Sequence, residues 1–255
     1  MVSISDASSS LRPSCPVHSE LVAVNACERC GRYFCSHCMS SGERCQECLR
    51  RYVAASPSSE ARARRATLSL RMVAVLVVGE MFLNLWAVLV PGARESLRTM
   101  ETLATIAMFL TGVGLVLFPL TTVVYLMWMQ RAVRQMNAWG THVGASPAWA
   151  VGCWFVPFVN LVKPLRIMQG IVEGLGGKEL AASLHLGVMW SAFLLSRILT
   201  GIARRLSMPL LPPSLALRVY LIEIGSWACT LVAAILCIRM IRAVQVRLES
   251  RRSWA

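Results

Sequence analysis

Charge is scarce in this chain. Asp, Glu, Lys and Arg make up only 15% of its 255 residues, where soluble domains carry about a quarter, and this argues against an ordinary cytosolic enzyme. Asp6 is the only aspartate, and Lys163 and Lys178 are the only lysines. Catalytic motifs are missing as well. There is no Gly-x4-Gly-Lys-Ser/Thr loop and no His-Glu-x2-His, the arrangements that cradle a nucleotide or hold a catalytic zinc. Ser226 follows Gly225, but the surrounding Ile-Gly-Ser-Trp reads as mid-helix and not as the sharp turn that exposes a serine nucleophile. The sequence predicts no enzyme. Residues 1–14, MVSISDASSSLRPS, lack the apolar core of a secretory signal and read as a disordered lead.

Hydrophobic residues are abundant, at 56%, with a mean hydropathy of +0.56. They are unevenly spread: seven of the ten cysteines fall in the first 70 residues, while the long apolar runs come later. The net charge is +13, and 24 of the 26 basic residues are arginine, which suits a phosphate-rich surface such as anionic lipid or nucleic acid.

The cysteines lie in pairs: Cys15-x2-His18, Cys27-x2-Cys30, Cys35-x2-Cys38 and Cys45-x2-Cys48. Each pair puts two donors on one tight knuckle, both able to reach a single ion, and two knuckles complete a tetrahedral shell. Eight ligands make two structural Zn2+ sites. With every position filled by protein no water can bind the metal, so it folds the chain and does not catalyse. A disulfide framework is the rival. The knuckle spacing, the use of His18 and the missing signal oppose it. Spacing alone leaves the pairing open, sequential (15, 18, 27, 30 and 35, 38, 45, 48) or interleaved (15, 18, 35, 38 and 27, 30, 45, 48). His37, inside Cys-Ser-His-Cys, reads as a bystander. Over residues 13–50, Arg29, Arg32, Arg44 and Arg50 are balanced by Glu20, Glu28, Glu43 and Glu47, so the module lacks the basic footprint of nucleic-acid binding. Protein contact is the better expectation, beside the plain reading that metal simply stabilises a domain too small to hold itself.

The run CPVHSELVAVNACERCGRYFCSHCMSSGERCQEC resembles the B-box-type, cross-braced zinc fingers that precede the membrane part of some bacterial membrane proteins. That resemblance implies interleaved pairing.

Residues 51–71 read as a basic flexible tether, with Pro57 among Ala and Ser, and arginines at 51, 62, 64, 65 and 71 against Glu60. Beyond it, four segments have the length and apolarity to span a bilayer: 72–90, 103–129, 181–202 and 217–238. The apolar stretch within 147–164 is shorter, broken by Pro157 and closed by Lys163-Pro164, and reads as re-entrant or interfacial. Four spans put both termini on one side. The tail 241–255 is basic, and Arg131, Arg134, Lys163, Arg166 and Lys178 fall on that same side, so the positive-inside rule makes it cytoplasmic. Arg204, Arg205 and Arg218 fall outside and run against the trend. The spacing of Met129, Val133, Met136 and Trp139, and of Met168, Ile171 and Leu175, predicts amphipathic helices along the headgroup layer. Trp128, Trp139, Trp149 and Trp154 suit that depth.

Pro147-Ala-Trp149, then Trp154-Phe-Val-Pro157-Phe-Val-Asn160-Leu-Val-Lys-Pro164 and Met168, after the stretch from Trp128 to Trp139, resembles a bacterial polytopic membrane family catalogued as domain of unknown function 4328. The likeness covers roughly residues 70–240. It implies a small integral membrane protein, sometimes with an extra N-terminal module, and carries no catalytic residue across.

Ionisable groups at membrane depth are costly and raise a functional question. Glu80 and Asn84 share a helix face. Arg197 and Glu223 lie at matching depth, which predicts an ion pair between neighbouring antiparallel helices. His185 is expected near the inner end of its span, too far from Ser226 for a dyad. Cys153, Cys229 and Cys237 read as small apolar residues.

The fold expected is thus all-α. It is a polytopic helical membrane protein of about four spans plus a re-entrant or interfacial segment, with a small N-terminal cross-braced zinc-binding domain over 15–50. The function expected is a membrane-anchored adaptor at the bacterial inner membrane, recruiting a protein through its finger, with homo-oligomerisation left open. The alternative is a small ion or solute channel or transporter using Glu80, Asn84, His185 and Glu223.

Overall fold

The computed structural model describes residues 13–39, 44–55, 58–90, 97–141, 143–206 and 213–253. Residues 1–12, and with them nearly all of the expected lead, lie outside the described residues; Ser14 already pairs with Val22 in an isolated bridge. Strands β1 (Asn25–Ala26) and β2 (Tyr33–Phe34) form an antiparallel hairpin with Asn25 opposite Phe34 and Ala26 opposite Tyr33. Helix α1 (Gln46–Ala55) completes the module. The rest is helical: α2 (Glu60–Leu89), α3 (Leu97–Ala138), a single turn α4 (Trp149–Gly152), a 3-10 turn (Val159–Leu161), α5 (Lys163–Ser183), α6 (Leu186–Leu206) and α7 (Pro213–Ser253).

Four of these helices, α2, α3, α6 and α7, are long and apolar enough to cross a membrane. The chain is therefore an all-α protein with four candidate spans and a small N-terminal Cys/His module. The ends of the helices obey local chemistry. Val90 turns extended ahead of Pro91, because a residue before proline is pushed out of the helical region. Pro164 begins α5 in the first turn, where the missing N–H costs nothing. Pro119 stands inside α3.

Three expectations are corrected by the helix lengths. The stretch 51–71 is no flexible tether among its described residues. It is helical to Ala55 and again from Glu60, since Ala and Arg are strong helix formers and Ala63 and Ala66, three apart, are buried in the core. The segment after 129 does not lie along the headgroups. It continues α3, and Met129, Val133 and Met136 are fully buried, with Met168, Ile171 and Leu175 of α5 and Met240, Ile241 and Val244 of α7 in the same cluster. Neighbouring helices of the same chain cover the apolar stripe where lipid was expected. Trp128 is buried there too; Trp154 packs edge-on against Tyr125 and Trp190, Arg251 lies over the Trp139 ring, and only Trp149 of the four is exposed. The third span starts at Leu186 and not at residue 181, because the chain breaks at Leu184 and His185, the latter with φ +50°.

The basic tail is likewise part of the bundle: α7 stays helical to Ser253 and buries Leu248. The main core therefore lies at the end of the bundle that carries the module, called the module end below. The apolar segment 147–164 forms two short turns, neither long enough to span. Its Phe155 and Phe158 are exposed, while Trp190 Nε1 donates to the Leu161 carbonyl at 2.7 Å and anchors it to α6.

Helix α5 kinks at Gly176 and Gly177. Gly177 has φ +71° and ψ −174°, a region open essentially to glycine, and a Cβ placed there would touch nothing. Gly177→Ala isolates the backbone cost and is expected to lower stability by about 1–3 kcal/mol, read as a lowered melting temperature in detergent.

Candidate metal centre

The module folds around its sulfurs. Six buried cysteines and Phe34 make up its interior. Three knuckles are closed by backbone hydrogen bonds, Gly31 N to Cys27 O at 2.8 Å, Cys38 N to Cys35 O at 3.0 Å and Leu49 N to Cys45 O at 3.0 Å, and the chain after His18 turns back through Leu21 N to His18 O at 2.9 Å and Cys15 N to Leu21 O at 3.0 Å. Gly31 follows Cys30 with φ +70°, the left-handed step that turns the chain from the knuckle into β2.

The hairpin decides which knuckles meet. Cys27 and Cys30 lie at its tip, beyond β1, and face Cys45 and Cys48 at the start of α1. Cys35 and Cys38 follow β2 back to Cys15 and His18. The two groups are Cys15, His18, Cys35, Cys38 and Cys27, Cys30, Cys45, Cys48, and within each group all donor atoms lie within 4.8 Å of one another. This is the interleaved arrangement. His37 belongs to neither group; its carbonyl accepts from Gln46 Nε2 at 3.1 Å.

The dimensions fit a tetrahedral ion. Metal–sulfur bonds of about 2.3 Å and metal–nitrogen bonds of about 2.0–2.1 Å imply donor–donor edges of roughly 3.5–3.8 Å. Cys30 and Cys45 sulfurs are 3.9 Å apart, and His18 Nδ1 is 3.6 Å from Cys35 Sγ and 3.2 Å from Cys38 Sγ. The Cys30–Cys45 separation is far longer than a disulfide of about 2.05 Å, and none of the ten cysteines is disulfide-bonded. Backbone N–H groups also point at the donors, Cys45 N to Cys27 Sγ at 3.3 Å and Cys48 N to Cys45 Sγ at 3.4 Å, which supports thiolate character.

Crowding four donors splits their acidities. Burial pushes the Cys15 thiol up, but hydrogen bonds from the backbone at Cys35, His18 and Val17 more than offset it and leave the group at about 6. Cys27 is held at about 6 in the same way, burial being outweighed by backbone donors at Cys45, Cys30 and Arg29. Burial, then neighbouring Cys15 and Cys35, pushes Cys38 up to about 11; burial, then Cys45, Cys30 and Cys27, pushes Cys48 up to about 12. A divalent cation relieves that repulsion and lets all the sulfurs ionise together.

Among the intramembrane polar residues, the structure gathers some and separates others. Glu80 and Asn84 are buried on the same face of α2. Asn84 Nδ2 donates to the Glu80 carbonyl at 2.8 Å, and Thr111 Oγ1 of α3 lies 3.5 Å from Glu80 Oε1. Glu223 of α7 is half-buried. His185 is exposed in the α5–α6 turn, its Nδ1 2.9 Å from the Ser183 carbonyl. The expected Arg197–Glu223 pair does not form: Arg197 is exposed, and no ion pair joins the two. Helix phase is the reason. Ser196, about 100° round the helix, is buried instead: Ser226 Oγ of α7 donates to its main-chain carbonyl at 3.1 Å and lies 2.8 Å from Thr200 Oγ1. That hydroxyl ladder places Ser226 in a helix–helix contact.

The sequence reading also missed a buried polar junction at the module end. Ser59 Oγ lies 2.8 Å from Gln135 Oε1 and 2.9 Å from Gln245 Oε1, tying α2 to α3 and α7.

No curated protein and no solved structure matches the chain. A family model described as a domain of unknown function (DUF4328) matches residues 91–246, from just before α3 through most of α7 and including the Trp154-to-Pro164 segment. The match covers more than half of the sequence, and the chain belongs to the DUF4328 family.

Proposed function

We propose that this protein is a membrane-anchored adaptor whose N-terminal module holds two structural Zn2+ ions and presents an apolar face to a protein partner. One observation carries the reading: two closed four-donor sites support a surface on which Val22 and Val24 are 52% and 64% exposed. Two residues apart in extended chain, these side chains share a face, and Val17 and Tyr33 are also exposed on the module. A surface so apolar on so small a unit suits protein contact. The donor sets are complete without water, which favours a structural role over catalysis. The likeness to B-box-type fingers supports the same use.

In this reading the module and both chain ends are cytoplasmic, at a bacterial inner membrane. The arginines of α2 and α7 at the module end favour that side, and a reducing compartment keeps the thiols available to metal. Val22→Glu combined with Val24→Glu is expected to leave zinc content near two per chain while removing the module's neighbours in proximity labelling. An unchanged set of neighbours would refute the adaptor face.

Glu80, Thr111 and Glu223 favour a second reading, a proton or cation conduit through the bundle. It predicts that reconstituted chain lacking residues 13–55 still conducts, and that Glu80→Gln abolishes the flux. The adaptor reading predicts no flux from either form.

A further inference from the structure

A groove of about 470 Å³ runs between α2 and α7 at the module end, lined on one side by Arg64, Leu68 and Arg71 and on the other by Arg242, Val246 and Glu249. The two helices are antiparallel, so Arg71 and Arg242 stand together at the mouth nearest the apolar spans. The far end of the groove is acidic, and its charges are already engaged: Glu60 pairs with Arg64, and Glu249 accepts from Gln245 Nε2 at 2.7 Å. Arg71 and Arg242 are exposed. Among the described residues neither side chain has an ion pair or a hydrogen bond, and both line the same groove.

The same faces continue into the membrane region. On α2 the exposed residues after Arg71 are Met72, Val75 and Val78, and on α7 the exposed residues before Arg242 are Arg239, Ile235 and Val232. Each series keeps the three- or four-residue step of one helix face. A cationic mouth at the end of an apolar track has the division of a phospholipid, with the phosphate between guanidiniums and the acyl chains along the track. Guanidinium binds phosphate through two parallel hydrogen bonds, and basic pockets between helices at the membrane surface hold anionic headgroups.

We propose that this groove is a binding site for an anionic phospholipid of the adjoining leaflet, with Arg71 and Arg242 clamping its phosphate. This goes beyond the positive-inside effect, which needs charge on one side of the membrane but no particular pair of residues. It is also independent of the zinc module.

The test uses the full chain, purified in an uncharged detergent and titrated with phosphatidylglycerol, phosphatidylcholine or inorganic phosphate. Bound lipid is counted by native mass spectrometry. Phosphatidylglycerol is expected to bind saturably and in preference to phosphatidylcholine. Arg71→Gln with Arg242→Gln is expected to weaken it about ten- to thirty-fold, whereas Arg204→Gln with Arg205→Gln, at the other end of the bundle, leaves it unchanged. Equal retention of the two lipids, or an unaffected groove variant, overturns the proposal. So does inorganic phosphate that displaces phosphatidylglycerol at comparable concentration, because the site would then be one for a soluble anion. The lipid and phosphate comparisons are made on the wild-type chain and do not depend on the variants folding.

Discussion

A strong chelator is expected to unfold residues 13–55 while leaving the helical bundle intact. The module has little else to hold it: two strands of two residues each, one helix, and an interior of cysteines around Phe34. Structural zinc in domains of this size contributes on the order of 10–16 kcal/mol of apparent binding free energy, which is folding free energy, so its removal exceeds any other stabilisation available here. The interleaved pairing adds a sharper expectation. Each site takes one knuckle from before β2 and one from after it, so losing one site releases chain that frames the other. Cys35→Ser is therefore expected to lower zinc content from about two per chain toward zero, where sequential pairing would leave one intact site. Hydrogen exchange at Cys27 N and Gly31 N, which donate to the Arg32 and Cys27 carbonyls, reports the unfolding amide by amide. Protection that survives chelation would show that metal is not what folds the module.

Ser59→Ala is expected to cost about 2–4 kcal/mol, far more than loss of one exposed hydroxyl. Ser59 is fully buried between Gln135 and Gln245. Gln245 spends its NH2 group on Glu249 at 2.7 Å, so its oxygen is what Ser59 meets. Gln135 offers its oxygen as well, so the one hydroxyl proton is shared between two amide oxygens. Removing the hydroxyl takes a donor from two glutamine oxygens in a dry junction, at about 1–3 kcal/mol for each. Ser59→Thr keeps the hydroxyl and should recover much of the loss. Thermal unfolding in detergent distinguishes the two variants; equal melting temperatures would show that the hydroxyl is not what joins the three helices.

What the sequence revealed depended on whether a signal was local. Knuckle spacing is local, and it marked all eight donor residues. Their grouping depends on the pairing of Asn25 with Phe34, a contact across the hairpin that spacing cannot express. The four spans announced themselves by apolar length, but their true ends did not. Arginines at 62, 64, 65 and 71 read as a tether because charge on one face hides Ala63 and Ala66 on the other. The stripe of Met129, Val133 and Met136 told correctly that one face was apolar, yet periodicity is silent on whether lipid or protein covers it. Depth alone suggested an Arg197–Glu223 pair, and rotation about the helix axis put Ser196 there instead. The Ser59 junction joins residues 76 and 186 positions apart, a separation at which no single-chain pattern speaks.

The family match begins at residue 91, after α2 has ended, yet Ala63 and Ala66 of that helix belong to the same buried cluster as Met129 and Ile241. Homology and folding autonomy therefore have different borders in this protein. A fragment severed at the family's first residue would uncover that cluster and take away the hydroxyl shared by the glutamines of α3 and α7, so the self-sufficient unit is expected to start upstream, at Ser59 or earlier.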